Sequence, residues 1–349
     1  EAQVQFHTEG SCYEGSTNYH RLSSEILLFG VAIIVGLPSE RNLSLPNYSA
    51  SVIRVRPPFP KNPLKEFSDK EGLKAIIPSE ITALLWRAAR FTEATTRPDN
   101  SIVQIGDTDS GRLFWLHPAE IHNNIPDRND LDHRSLVESI DSLFHPSKEY
   151  RWFDTEVVKG MTTSWRPKSP EANGPTVDHG DLNSLVKFLE SLPDRQLRIR
   201  RYPLKEASAH WKRAAFPEFG LYLFWSKDNF LSFRCFSAPA FDAPDGHFHD
   251  DNLAIELILS NKAEITDPGS YVYTADIDIR NKYRSSSAHD CPRATDWEVA
   301  NVGKNLFSLP QNAYAERICW LPNVVGGKIV HSSATVYRLI KLGEKELIG

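Results

Sequence analysis

The 349-residue sequence is short of paired cysteines, of excess positive charge and of long apolar runs. Its four cysteines, Cys12, Cys235, Cys291 and Cys319, lie far apart and form no Cys-x-x-Cys pair, which argues against a disulfide framework or a zinc ribbon and for ordinary buried thiols. Lys and Arg total 40 against 45 Asp and Glu, a net charge of −5, so no global basic field draws nucleic acid or anionic lipid. An acidic polymer has to be met by a local site. The longest apolar run, Ile26 to Leu37, has twelve residues, short of the roughly 20 that a membrane-spanning helix needs, and reads as a buried helix. Internal repeats and low-complexity tracts are lacking as well. The chain starts at Glu1, carries its one methionine at Met161, and shows no charged-then-apolar signal pattern, so it reads as a fragment.

What is present is ample for packed cores: 40% of residues are hydrophobic and 11% aromatic. At roughly 150 residues per domain the length predicts about two domains. Leu22, Ile26, Phe29 and Ile33 recur at helical spacing and predict one helix over residues 18–36. Residues 38–78 are rich in Pro, Ser and Asn and read as loop, with a short helix near Ser68 to Ala75. A second helix is predicted from Ser79 as N-cap, with Ile81, Leu84, Leu85, Ala88 and Phe91 on one face. A third covers Leu131 to Phe144. Pro167, Pro170, Gly174, Pro175 and Gly180 read as an exposed connection. From Phe219 the period changes to two, and Leu221 to Trp225, Phe230 to Phe236, Leu253 to Leu259 and Ala334 to Leu342 read as strands. Helices first and strands second argue against a βαβ sheet and for two layers or domains.

Two clusters carry candidate chemistry. In Gly246-His247-Phe248-His249-Asp250-Asp251-Asn252 the two imidazoles share one side of an extended segment. With Asp267 and His289 downstream, two histidines and a carboxylate make a sufficient ligand set for zinc. The second cluster is Glu14-Gly15-Ser16-Thr17-Asn18-Tyr19-His20-Arg21, where a polar loop enters the first helix. A neighbouring Arg21 and a helix N-terminus both favour the phenolate of Tyr19.

These residues stand in an order that resembles the heparinase II/III-like polysaccharide lyases. The order runs through Glu14 to Arg21, then Gln104-Ile105-Gly106-Asp107-Thr108-Asp109-Ser110-Gly111-Arg112, then Gly246 to Leu253. It continues through Asp267-Pro268-Gly269-Ser270-Tyr271-Val272-Tyr273-Thr274 and ends with Arg280-Asn281-Lys282-Tyr283-Arg284 and Ala288-His289. The five motifs in sequence are far more specific than any one alone, and the likeness spans Glu9 to about Phe307. It implies an α+β multidomain chain: an incomplete (α/α) toroid, here lacking its N-terminal part, followed by an antiparallel β-sandwich. Residues 1–165 are then the C-terminal part of the toroid with following helices, 166–215 a connecting segment, and 216–349 a sandwich expected to be truncated.

The resemblance further implies cleavage of a uronate-containing anionic polysaccharide by β-elimination, in which a base removes the C5 proton and the glycosidic oxygen leaves C4. Such a site needs donors at the carboxylate and a base and acid on the reacting face. By motif position Tyr19 is the general acid or base, and His247 projects into the cleft. His249, Asp267 and His289 hold a structural zinc that fixes the loop carrying His247. Arg280, Tyr283 and Arg284 are the substrate-facing residues, guanidiniums being suited to carboxylate or sulfate. Asp107, Asp109 and Arg112 read as a self-bonded turn and are left out of the catalytic set. The implied partner is an anionic polysaccharide, with no nucleic acid and no transmembrane segment, met in the cell envelope or periplasm or outside the cell. A C5 uronate epimerase, an inactive polysaccharide-binding relative and a cupin-like iron site are the competing readings.

Overall fold

The computed structural model describes residues 2–38, 77–116, 120–122, 125–127, 129–170, 177–192, 196–204, 210–236, 246–293, 302–303, 306–310 and 313–349. The short helix expected near Ser68 to Ala75 lies outside the described residues.

The first half is helical. α1 (Ala2–Gln5) leads to α2 (Thr17–Gly36), α3 (Ser79–Thr95), a small hairpin of β1 (Glu120–His122) and β2 (Ile125–Asp127), α4 (Arg134–Phe144) and α5 (Phe153–Met161). The helix over 17–36 is where periodicity puts it, but its buried face is rotated. Ile26 and Ile33 are 52% and 50% exposed, while Thr17, Arg21, Ser24, Leu28, Ala32 and Val35 turn inward. A purely hydrophobic criterion misses this because the inward stripe of the first two turns is polar. α3 matches expectation more closely: Leu84, Leu85, Ala88 and Phe91 are buried, although Ser79 is its first residue and Pro78 its cap. Leu28, Val31, Val35, Leu85, Ala89, Leu136, Ile140, Leu143 and Val158 form one core among α2 to α5.

The second half is a β-sandwich. α6 (Leu182–Ser191) and β3 (Arg201–Pro203) fall in the stretch expected as a connection, and strands therefore begin before the predicted alternation. One antiparallel sheet then starts with β4 (Lys212–Phe216) and runs β4-β5-β6-β7-β8, through β5 (Leu221–Trp225), β6 (Phe230–Arg234), β7 (Ile255–Leu259) and β8 (Lys262–Ile265). After α7 (Ile277–Arg284) come β9 (Ala313–Leu321), β10 (Val324–His331), β11 (Thr335–Leu342) and β12 (Glu346–Ile348), in a second sheet ordered β3-β12-β11-β10-β9.

Strand β5 shows why this half reads as apolar runs. Tyr222 and Phe224 point into the sandwich, where both meet Trp320 of β9, with ring centroids 5.4 and 4.8 Å away. Leu221 and Leu223 point the other way and pack with Phe91 of α3 and with Val103 and Ile105. A strand covered on both faces loses its polar alternation. The same alternation sets Ile255, Leu257 and Leu259 of β7 in the sandwich core and turns Glu256 toward the helices.

The helical half and the sandwich meet along the loop 104–109, where Ile105 O accepts from Thr17 N and Asp107 N donates to His247 O. Gly106 permits that contact. Its φ is +67°, and a Cβ there would lie 2.3 Å from His247 O. Replacing it adds the left-handed penalty of an L-residue, about 1–2 kcal/mol, to that collision. Gly106→Ala is therefore expected to destabilise the protein by more than about 2 kcal/mol, checked by the urea midpoint, and an unchanged midpoint would contradict the contact.

Candidate active site

One side chain from each of the five motifs, Tyr19, Asp107, His247, Tyr273 and Arg280, meets the others at this seam. Ser16 caps α2, its Oγ accepting from Asn18 N and Tyr19 N at 3.2 Å, and Ser16 Oγ also donates to Asp107 O at 2.7 Å. Tyr19, on the first turn, then faces the seam. His20 and Arg21 face away: the His20 ring lies 3.0 Å from Thr92 Oγ1, and Arg21 Nε donates to Glu25 at 3.0 Å. Burial pushes His20 down to about 3, so it is neutral.

Tyr19 lies flat on His247, with ring centroids 3.4 Å apart and planes 8° from parallel. The Tyr19 hydroxyl is 2.9 Å from both Asp109 Oδ2 and the Tyr273 hydroxyl, and Tyr273 is 3.4 Å from His247 Nδ1. The expectation that Tyr19 favours its phenolate is overturned. Burial, the Tyr273 hydrogen bond and the Asp109 charge raise its pKa above the ordinary phenol value, while the Arg21 charge is spent on Glu25. Tyr19 is held as a phenol, the form that can give a proton.

Asp107 is the hub. Fully buried, it lies 2.9 Å from His247 Nδ1 and 3.1 Å from His249 Nε2, and receives both Arg280 Nη1 and Nη2 at 2.6 and 2.7 Å. Burial alone would raise its carboxyl, but the hydrogen bonds from His247, His249 and Arg280 outweigh it and hold Asp107 well below the usual carboxylate range. With Nδ1 of His247 turned to this carboxylate, Nε2 is the nitrogen left for a ligand or a proton. The turn reading of Asp107 thus understates it: the signal lay in the Gln104 to Arg112 motif. Tyr273 was also missed as a site residue, although it stands in the Asp267 to Thr274 motif.

Arg280 and Arg284, expected to face substrate, are both 1% exposed and turned inward. Arg280 clamps Asp107 and Leu306 O, and Arg284 donates to Leu306 O at 2.5 Å and Ser308 O at 2.7 Å. They position the site rather than reach into a cleft. Tyr283 sits on the outer part of α7, stacked on Tyr271 with centroids 5.2 Å apart. Arg112 is buried too, paired with Asp154 at 2.7 Å.

The expected zinc ligands lie beside this hub. Asp267 Oδ2 is 2.5 Å from His289 Nδ1, and the His249 and His289 rings are 5.3 Å apart. Two imidazoles and a carboxylate suit zinc by chemistry. His249 Nδ1 and His289 Nε2 are also buried with no hydrogen-bond partner among the described residues. As placed, however, no group of three or more such side chains among the described residues is arranged to hold a metal ion. The four cysteines are all free thiols.

Residues 209–290 match the family model described as Heparinase II/III-like, C-terminal. The chain resembles the heparinase II/III-like family. A solved heparinase III gene product overlays with a TM-score of 0.51 at 15% identity, covering 98% of this chain and 38% of its own. The same protein with methylated lysines gives 0.50 at 15%, covering 99% and 38%. A heparan sulfate lyase, HepC from Pedobacter heparinus, gives 0.45 at 15%, covering 96% and 37%. No curated protein sequence matches the chain. The chain thus spans about 38% of the length of the heparinase III structures and shares their fold. The mixture of helices and a two-sheet antiparallel sandwich is the fold class that the motifs implied, with the toroid represented only by the helices described above.

Removing one side of a buried bidentate ion pair strands the other charge. Arg280→Met is expected to cost about 3–5 kcal/mol of stability by leaving the Asp107 carboxylate uncompensated. Denaturant titration checks this, and a loss under about 1 kcal/mol would remove Arg280 from the hub.

Proposed function

We propose that the chain carries the reacting centre of a polysaccharide lyase that cleaves a uronate-containing anionic polysaccharide by β-elimination. The observation that supports it best is the pairing of a protonated Tyr19 with a His247 oriented by Asp107, stacked at 3.4 Å. The heparinase-like fold and the family match at residues 209–290 support the relationship to such lyases.

In this mechanism the Asp107 carboxylate accepts the Nδ1–H of His247 and orients the ring, so Nε2 is the nitrogen that accepts the C5 proton of the uronate. The electron pair left on C5 forms the C4–C5 double bond as the C4–O bond breaks. Tyr19 gives its proton to the departing oxygen, and the proton taken by His247 is passed back, through solvent, to the Tyr19 phenolate, which restores both groups. Division of labour between the two rings follows from their environments, burial and Asp109 keeping the phenol protonated while Asp107 orients the imidazole.

The direct test is an ultraviolet assay for the unsaturated uronate product on a panel of uronic-acid polymers. Activity on one of them, reduced roughly 10²- to 10⁴-fold in Tyr19→Phe with the melting curve little changed, is the expected outcome. Substantial residual turnover in that variant would take Tyr19 out of the chemistry. Inverted sugars in an uncut chain would favour the C5 epimerase, which shares the proton abstraction, and binding without turnover would favour an inactive relative.

Zinc bound by His249, Asp267 and His289 belongs to the same proposal, supported by the two buried unpaired imidazole nitrogens. When bound it would hold the 246–252 loop in place, a structural task. About one zinc per chain by elemental analysis, lost together with thermal stability in His249→Ala, is expected because metal-binding energy is coupled to folding. Unchanged metal content in that variant would refute the ligand assignment. Placement in the cell envelope or outside the cell follows from the size of the substrate and is part of the proposal.

A further inference from the structure

Two residues before Tyr273, the chain takes a costly conformation for no benefit to the core. Tyr271 has φ +58°, in the left-handed region that a bulky side chain seldom occupies, and it is 74% exposed. Strain of this kind persists only where the surroundings enforce it, and it collects at functional positions. The enforcement is visible on both sides. Ser270 is locked to Thr108, with Ser270 N donating to Thr108 Oγ1 and Thr108 N to Ser270 Oγ, each at 2.8 Å. Val272 N donates back to Ser270 O at 2.7 Å, closing a tight turn with Tyr271 at its tip. On the other side the Tyr271 ring lies on Tyr283, 17° from parallel. Tyr283 stands three residues after Arg280 on α7, so the element that clamps Asp107 also backs the exposed ring.

The arrangement is a flat aromatic face, presented to solvent and braced from behind, on the same loop as Tyr273. We propose that Tyr271 is a stacking platform for a pyranose ring of the polysaccharide, in a subsite next to the Tyr19–His247 centre, with Tyr283 as its support. This rests on the reading that the seam receives a polysaccharide. A tyrosine suits the task because it offers a large rigid surface with little conformational entropy to lose, and the electron-rich ring face attracts the C–H groups of a sugar. Tyr283 thereby acts on substrate through Tyr271 and not by direct contact.

Tyr271→Ala and Tyr271→Phe are compared with the wild-type chain by steady-state kinetics and by affinity electrophoresis on alginate, hyaluronan and heparan sulfate, with melting curves as a folding control. The expected result is a KM and a dissociation constant raised about fivefold to tenfold in Tyr271→Ala, the change falling on KM rather than kcat, with Tyr271→Phe close to wild type. Cleavage by all three proteins with equal KM would overturn the platform and leave the lyase reading intact. Binding without cleavage, weakened in Tyr271→Ala, would overturn the lyase reading and support the platform. Neither binding nor cleavage of any polymer by the wild-type chain would overturn both. A Phe variant as weak as the Ala variant would also overturn it, because the stacking face would then not be what matters.

Discussion

One buried carboxylate decides where everything else in the seam can go. Asp107 arrives on a loop from the helical half, while His247, His249 and Arg280 come from the sandwich half. A fully buried carboxylate left bare would cost far more than a few hydrogen bonds return. Its partners therefore have no freedom to drift: each must stay within hydrogen-bond distance or the charge is stranded. Positional constraint, more than net stability, is what such a buried ionic cluster contributes, since apolar replacements of buried ion pairs are often as stable.

The seam repeats this logic away from the hub. Arg97, from the helical half, meets Glu256 of β7 at 2.5 Å, and Glu256 also accepts from Gln104 N at 2.7 Å. Gln104 Nε2 reaches Asp267 O at 2.9 Å. The two halves thus share an apolar patch around Phe91, Phe219 and Leu223, bordered by directional polar contacts that fix the register of one half on the other. Apolar packing alone tolerates sliding and repacking, whereas the Asp107 cluster, assembled from both halves, requires a fixed register.

How much of this was legible in the sequence depends on which force placed each residue. Strands such as Leu221–Trp225 were legible because burial on both faces writes them as unbroken apolar runs. The length of α2 was legible, but not its inward face, because Arg21 and Glu25 are buried by pairing with each other, which no hydrophobic periodicity records. That pairing also bears on the membrane question. By length and composition α2 is apolar enough to cross a bilayer, yet its inner stripe carries Arg21 and Glu25 into contact with Ser135 and Arg112 of the helical core. Tyr19 and His247 could be singled out from motif order. The inward turn of Arg280 and Arg284 could not, since an arginine that binds a carboxylate looks the same in sequence whether the carboxylate belongs to a ligand or to Asp107.

The same ambiguity explains why Asp107 was taken for a turn residue. A Gly-Asp loop is self-bonded in most settings, and Gly106 does make the tight turn expected of it, with φ +67°. What the local pattern lacks is any sign that the turn exists to bring His247 O within 2.9 Å of Asp107 N, and the Asp107 side chain to two imidazoles 140 and more residues away. Long-range convergence of charge leaves no periodic trace. It does leave a chemical one: five polar motifs scattered along a chain of net charge −5 have to satisfy one another somewhere. The acidic residues among them need cationic or protic partners as soon as they are buried. Arg280, held by its own backbone acceptor at Leu306, is the partner whose charge does not depend on pH. Because Arg280 balances Asp107, compensation of this buried charge does not rest on His247, which is free to be held by the carboxylate through Nδ1 with Nε2 turned away from it.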